Sequence, residues 1–368
     1  MPEDRKVRVG IVFGGRSAEH EISILSARNV LAALDTERFE PVLIGIDKGG
    51  RWLKQDPKKL LASARDPRLV RIEEGQRAEL PSAQHPEGRT PSAAGLDVVF
   101  PVLHGTLGED GAVQGLLEVA GIPYVGAGIL GSAIGMDKDV MKRLLRDAGI
   151  PVTPFRTVRR DRFDAGPDEV CRDLAALGFP SFVKPANAGS SVGITKVRRA
   201  EELAGALRHA FEFDSKALAE AGVEGREIEL AVLGGHPPTV SVAGEIIVEH
   251  PDGFYSYDAK YLDEKGVRFD LPAHLTADQL MDAQAMALRT FEVLECEGLA
   301  RVDLFLTSGG FLVNEINTLP GFTAISMYPK LWALSGVTQT ELVSRLLDLA
   351  LDRAQRREKL RRSVGPGG

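Results

Sequence analysis

Residues 7–47 place the tightest limit on what this chain can fold into. Val7–Phe13 reads VRVGIVF, is β-branched and apolar, and stops on Gly14-Gly15. A helical pattern follows from Glu19 to Leu34, and Pro41–Asp47 (PVLIGID) reads as a second strand. Strand, helix and strand in this succession make a β-α-β opening, which calls for a parallel sheet covered by helices. Leu96–Leu103 (LDVVFPVL) is a further buried strand, followed by a glycine-rich turn and a helix near Ala112–Ala120. Pro123–Gly128 (PYVGAG) reads as the last strand of this unit and a linker.

Residues 55–94 interrupt the pattern. They are rich in Pro, Arg, Glu and Ser and read as an elaboration of the first unit. Beyond the linker, a helix at Lys138–Ala148 is stopped by Gly149 and Pro151. Then come a strand at Phe155–Val158, a helix at Asp168–Leu177 and a strand at Ser181–Lys184. A Gly-Ser loop, a short strand and a helix near Glu201–Phe211 complete a second unit that ends near Val223. The remainder opens with Arg226–Leu233 and alternates strands with a long helix, Ala277–Leu294; a last helix runs from about Thr338 to Leu351. No internal repeat is visible. At roughly 150 residues per domain, a chain of 368 residues fits two or three domains.

Composition removes several function classes. Two cysteines, Cys171 and Cys296, rule out a disulfide framework, a CxxC pair and a cysteine-rich zinc module, and point to a reducing compartment. A net charge of −7 argues against a globally basic, nucleic-acid-tracking protein. No apolar run approaches the ~20 residues of a membrane span. The charged N-terminus runs straight into a strand, so no leader is expected. A soluble cytoplasmic protein is the expectation. Arg353–Arg362 carries six basic residues and one acid, read as a solvated helix end whose cations suit the C-terminal dipole.

The most informative stretch is Leu299–Asn317. Two strands joined by a Gly turn form a hairpin, and side chains alternate with period two. Arg301 and Asp303 share one face of the first strand; Glu315 and Asn317 share one face of the second. With Gly309 at the centre of the turn, Asp303 stands opposite Glu315 and Arg301 opposite Asn317. Facing carboxylates repel. A divalent cation resolves that conflict, and all-oxygen ligation suits Mg²⁺, commonly brought together with nucleotide phosphates. A solvated polar strand face is the alternative.

Other segments are weaker signals. Lys184 ends a strand and leads into Ala188-Gly-Ser190-Ser-Val-Gly193, whose backbone and hydroxyl donors suit a phosphate, although Gly-Ser loops are often connectors. The G-x-x-x-x-G-K-[ST] pattern is absent, which excludes a P-loop NTPase. Gly126-Ala-Gly128-Ile-Leu-Gly131 matches G-x-G-x-x-G with Asp147 downstream, and reads as a turn or helix start; it keeps a nicotinamide dehydrogenase open. Ser17 is positioned to cap the first helix. His104 ends a buried strand, where open α/β sheets bind ligands, and is equally suited to a structural hydrogen bond.

Taken together, these residues resemble the D-alanine–D-alanine ligase family within the ATP-grasp fold. The matching segments are FGGRSAEHEIS (13–23), VLHGTLGEDGAVQG (102–115), PYVGAGILGSAIGMDK (123–138), VKPANAGSSVGITKV (183–197), GREIELAVLG (225–234), FYSYDAKY (254–261) and NEINTLPGFTAISMYPK (314–330). Two departures stand out: Gly222 occupies a position where the family usually carries a bulkier residue, predicting looser adenine packing, and the turn Thr307–Gly310 is one residue shorter than usual.

The resemblance implies a three-domain α/β ATP-grasp ligase. Residues 1–127 would form the N-terminal parallel-sheet domain, 128–223 the central subdomain and 224–352 the C-terminal subdomain with the metal and catalytic residues, leaving 353–368 as a basic tail. It implies ATP as co-substrate and two Mg²⁺ or Mn²⁺ ions held by Asp303, Glu315 and Asn317. Lys138, Lys184 and Lys260 would contact the phosphates, Glu220 and the Val223 backbone the adenine edge, Glu227 the ribose and Phe254 the adenine ring. Glu19 would hold the first D-alanine's ammonium with His104 near its carboxylate, and Ser190 and Tyr261 would link Glu19 to a closing loop, Gly253–Arg268. Arg301 and the Gly321 N–H would serve as oxyanion donors, and Ser326 with the backbone at Met327 as the second carboxylate site. The implied reaction joins two D-alanines through a D-alanyl phosphate, for peptidoglycan precursors, in a cytoplasmic homodimer with no nucleic-acid or membrane partner. A D-alanine–D-lactate or D-alanine–D-serine ligase is the nearest alternative.

Overall fold

The computed structural model describes residues 5–63, 66–78, 95–248 and 267–361. Its strands form three sheets. The first contains β1 (Val7–Gly14), β2 (Phe39–Ile46), β3 (Trp52–Gln55) and β4 (Val98–Val102) in the order β3-β2-β1-β4. β1 is parallel to β2 and β4, as the β-α-β opening requires, and β3 adds an antiparallel edge. The second sheet is antiparallel, with β5 (Phe155–Arg159), β6 (Ser181–Pro185), β7 (Thr195–Val197) and β8 (Lys216–Ala221) in the order β5-β8-β6-β7. The third contains β9 (Arg226–Leu233), β10 (Thr239–Val248), β11 (Val267–Asp270), β12 (Leu299–Thr307) and β13 (Gly310–Asn317), ordered β11-β10-β9-β12-β13.

Helices cover these sheets through apolar residues at helical spacing. The first helix, His20–Ala33, buries Ile24, Ala27, Val30 and Leu31. The long helix Ala277–Val293 starts on a capping box between Thr276 and Gln279 and buries Ala283, Ala287 and Phe291 against the third sheet. Among the described residues no helix is long and apolar enough to cross a membrane.

The cores do not follow the chain order. The second sheet has its own core around Val183, Leu207 and Ala219. Helices Ile129–Met136 and Lys138–Asp147 put Ile134, Met141 and Leu145 into the core of the third sheet. One face of the first sheet (Ile11, Phe13, Phe100) shares a core with Phe322 and Tyr328 and with Leu342 and Leu346 of the last helix, Gln339–Glu358. Its other face (Val12, Val99) is covered locally by Val113 and Leu117 of the helix Ala112–Val119.

Several expectations are corrected. The last helix continues to Glu358, and Arg353 is buried rather than solvated, donating to the Tyr124 and Gly126 carbonyls at 2.6 Å each. Carbonyls exposed at a chain turn offer a buried guanidinium the acceptors it needs. Pro123–Gly128 contributes a single bridge, Val99 to Tyr124. The Gly126–Gly131 pattern opens the helix at Ile129 without a preceding strand, which removes the structural context of a dinucleotide fingerprint. Trp52–Gln55 and a helix at Arg160–Ala165 were not legible in the sequence. Gly222 has a packing reason: a Cβ there would lie 2.5 Å from the Pro180 carbonyl oxygen.

The hairpin register agrees with expectation for a different reason. Thr307 pairs with Gly310 across a two-residue turn, which carried unbroken would set Asp303 opposite Asn314. A bulge at Asn314 absorbs one residue, so Asp303 pairs with Glu315 and Arg301 with Asn317.

Candidate active site

A cleft of about 1100 Å³ lies between the second and third sheets. Lys138, Lys184, Ser190, Glu220, Val223, Glu227, Arg301, Asp303 and Glu315 all line it. Residues up to 177 positions apart in sequence therefore meet in one place, brought there by strand ends and by the start of one helix.

At one end sits a buried cluster of lysines. Lys184 Nζ lies 2.8 Å from Glu220 Oε2, and Lys142 Nζ lies 3.4 Å from Glu220 Oε1. Burial pushes the Glu220 carboxyl up, but Lys142, Lys184 and Lys138 together hold it below its ordinary value. Lys142 is fully buried, and burial lowers its ammonium to about 8 despite Glu220. Lys138, at the start of its helix, donates to the Ala188 carbonyl at 2.7 Å and lies 3.7 Å from Glu315. Burial lowers its pKa too, with Glu315 the main opposing influence. The cluster is an anion site by charge, and the Ala188 contact ties it to the Gly-Ser loop.

The hairpin supplies the opposite sign. Arg301 makes a two-pronged pair with Asp303 at 2.7 Å for both bonds, and its Nε lies 3.1 Å from Glu229. Burial opposes the guanidinium's charge, but Asp303 and Glu229 raise its pKa well above the ordinary value. The bond pattern engages Nε and Nη2 and leaves the Nη1 hydrogens for another acceptor. Asn317 Oδ1 is buried and makes no hydrogen bond among the described residues. An orphaned amide oxygen beside two facing carboxylates fits a divalent cation of the Mg²⁺ type. Among the described residues no three His, Cys, Asp or Glu side chains converge as a metal set, so the candidate ligands are two carboxylates and this amide.

The Gly-Ser loop reaches the end of the first sheet. Ser190 and Ser191 adopt left-handed φ values of 48° and 59°, and the Ser190 hydroxyl donates to the Glu19 carboxylate in a short hydrogen bond. Ser17 does not cap the helix. Its Oγ instead accepts from the Glu19 N–H at 3.2 Å, because the helix begins at His20 and leaves Glu19 at the N-cap. Gly189 permits this approach: a Cβ there would stand 3.0 Å from Glu19 Oε2. Glu109 is buried alongside and accepts from the Gly105 N–H at 2.8 Å. Burial, then the Glu19 charge, push its carboxyl up to about 8.

His104 is buried with both ring nitrogens occupied. Nδ1 lies 3.1 Å from the Leu319 carbonyl and Nε2 lies 3.1 Å from Ser26 Oγ. Burial lowers its pKa, outweighing Glu19, so it is neutral at pH 7. Its partner loop carries Gly321, and Ser326 follows at the N-cap of the helix Met327–Leu334. Ser326 Oγ accepts from the Thr323 N–H at 3.0 Å. A helix N-terminus with uncapped N–H groups suits a carboxylate. Gly321 packs so closely that a Cβ would lie 2.8 Å from Ser326 Oγ. Gly321→Ala is therefore expected to displace Ser326 and, on the roles that the resemblance implies, to raise the KM for the second substrate more than for the nucleotide, which initial-rate measurements against each substrate will read.

Phe254, Lys260 and Tyr261, with most of the expected closing loop, lie outside the described residues. Three residues escaped the sequence reading. Lys142 stands one helical turn after Lys138, and Glu229 follows Glu227 at period two, so both spacings carried a signal. Glu109 sits among three glycines, and only its burial marks it out.

The chain is similar to known proteins over nearly its whole length. The chain matches the family descriptions "D-ala D-ala ligase N-terminus" over residues 8–127 and "D-ala D-ala ligase C-terminus" over residues 144–348. The D-alanine--D-alanine ligase A of Chromobacterium violaceum is 50% identical, covering 97% of this chain and 99% of its own. Among solved structures, the D-alanine-D-alanine ligase from Coxiella burnetii superposes with a TM-score of 0.79 at 37% identity, covering 96% of each chain. The VanG D-Ala:D-Ser ligase from Enterococcus faecalis gives a TM-score of 0.77 at 33% identity over 94% of this chain and 100% of its own.

Proposed function

The chain belongs to the D-alanine–D-alanine ligase family, and we propose that its cleft joins two D-alanines into D-alanyl-D-alanine with conversion of ATP to ADP and phosphate. The observation that supports this most is the hydrogen bond from Ser190 to Glu19. It ties Glu19, which in this reading binds the ammonium, to a loop residue that lines the cleft with Lys138, Lys184, Asp303 and Glu315, and so supports a site in which an amino acid and a nucleotide's phosphates meet.

In this reading Lys138 and Lys184 contact the phosphates, Glu220 and the Val223 backbone the adenine edge, and Glu227 the ribose. Asp303, Glu315 and Asn317 would hold two Mg²⁺ ions, which would supply charge neutralisation to the phosphates. Glu19 binds the first D-alanine's ammonium, and Ser190 fixes that carboxylate's direction. The substrate's carboxylate oxygen attacks the γ-phosphorus, the bond to ADP breaks, and the lysines spread the charge of a largely dissociative transfer. The second D-alanine, its carboxylate at Ser326 and the Met327 N–H, loses a proton and attacks the acyl carbon, expelling phosphate. Arg301 Nη1 and the Gly321 N–H face the oxyanion, each worth roughly 3–4 kcal/mol in comparable sites. Water must be kept from the acyl phosphate, a task that falls to the loop bearing Lys260 and Tyr261, with Phe254 against adenine. A peptidoglycan-precursor role, a cytoplasmic location and a homodimer through the first domain belong to the same proposal, as do domain limits at 127, 223 and 352.

The test is competition between D-alanine, D-lactate and D-serine for the second position. A cation over the incoming ammonium would cost roughly 4 kcal/mol at about 4 Å. The segment Phe254–Arg268 contains no histidine and carries Tyr261, a residue type ordinarily uncharged at pH 7, while burial lowers the pKa of His104. The dipeptide is expected to exceed the ester from about pH 6 to 9, the span over which a tyrosine stays largely uncharged. Dominance of the ester at the acid end would overturn the substrate assignment, and preference for D-serine would place the chain with the D-Ala:D-Ser ligases.

A further inference from the structure

The loop that carries Gly321 belongs to the C-terminal part of the chain, yet the first helix holds it. Ser26 Oγ accepts from the Phe322 N–H at 3.2 Å, and Asn29 Nδ2 donates to the Phe322 carbonyl at 2.9 Å. His104 completes the frame. The Leu319 carbonyl can only accept, so His104 Nδ1 carries the proton, and in the neutral ring Nε2 accepts from the Ser26 hydroxyl. Both backbone groups of Phe322 and the carbonyl of Leu319 are thus fixed from the first sheet's side. The Phe322 ring is seated against Phe100 and Tyr328, with centroids 5.8 and 5.6 Å away. Apolar packing sets where the loop lies; these hydrogen bonds set how its peptide planes are turned. That orientation decides where the Gly321 N–H points.

We propose that Ser26 and Asn29 are positioning residues for the second half-reaction, aiming the Gly321 N–H at the oxyanion from the opposite side of the site. The inference rests on the reading of Gly321 as an oxyanion donor. Neither side chain lines the nucleotide cleft. Ser26 does touch His104, whereas the Asn29 side chain bonds to the Phe322 carbonyl, so Asn29→Asp is the variant in which formation of the acyl phosphate is expected to be spared. A donor misplaced by about 1 Å can cost on the order of a hundredfold in the step it serves.

The experiment uses Ser26→Ala and Asn29→Asp in the full chain. Asn29→Asp keeps side-chain volume and guards against a folding defect from the fully buried Ser26 site. Single-turnover quenching follows ADP and dipeptide separately, and hydrogen exchange follows the peptide containing residues 319–326. The expected result is ADP formation within about threefold of the parent in Asn29→Asp, dipeptide formation slowed at least about tenfold, and faster exchange in the loop. The unused acyl phosphate then reacts with water to give D-alanine and phosphate. Exchange unchanged from the parent overturns the inference, as does equal slowing of both half-reactions in Asn29→Asp. Faster exchange with dipeptide formation intact overturns the assignment of Gly321 instead, and with it the catalytic purpose given to Ser26 and Asn29.

Discussion

Replacing Glu315 by glutamine is expected to lower turnover more than about a hundredfold, beyond the usual loss from disturbing a group that merely supports a metal ligand, while leaving the fold intact. Glutamine keeps the shape but gives up the charge. Two functions go with it: the carboxylate opposite Asp303, and the partner 3.7 Å from the Lys138 ammonium. Lys138, already lowered by burial, loses its main opposing influence and is more easily neutralised. Stability is expected to change little, because relief of the repulsion with Asp303 is offset by the loss of Lys138's ion-pair partner. Initial rates across a Mg²⁺ titration and thermal melting of both proteins check this. Near-normal turnover at saturating Mg²⁺ would make Glu315 a structural residue.

The second large effect is on stability. Glu220→Ala removes the ion-pair partner of Lys184 and the opposite charge beside Lys142 at once, and breaking such a buried pair typically costs about 3–5 kcal/mol. Denaturant unfolding without nucleotide will measure it. Adding Lys142→Met is expected to return part of the loss, since an apolar side chain needs no partner there, while Lys184 still lacks Glu220. The pH dependence has a definite sign. Lys142 is depressed to about 8 in the folded protein against an ordinary 10.5. Between these values the unfolded chain holds a proton that the folded one has released, so this group's contribution to stability rises with pH. In Lys142→Met that rise disappears; its persistence would assign the slope to another group.

What was legible in the sequence followed from short-range periodicity. The β-α-β opening and the parity of Arg301, Asp303, Glu315 and Asn317 needed only period-two alternation and turn residues. The bulge at Asn314 left no mark, and the predicted register was right because two half-residue differences cancelled. Glu19 looked like an ordinary first-turn acid; its pairing with Ser190 spans 171 positions and requires the fold. Glu109, Lys142 and Arg353 are charged residues that burial turns into structural or site groups, and burial of a charge is decided by partners distant in sequence. The family resemblance supplied the roles that spacing alone left open.

The shared core of the first sheet has a consequence for synthesis. The face bearing Val12 and Val99 is closed by Val113 and Leu117, which leave the ribosome soon after it. The opposite face, with Ile11, Phe13 and Phe100, is covered in part by Leu342, Val343 and Leu346. At about 5–20 residues per second, the interval between Val102 and Leu342 lasts on the order of ten to fifty seconds. Throughout that time this face is covered by the first helix, through Ile24, Ala27 and Val30, and lacks the part of its cover that the final helix brings. The core of the N-terminal unit is therefore completed only when the final helix has been made.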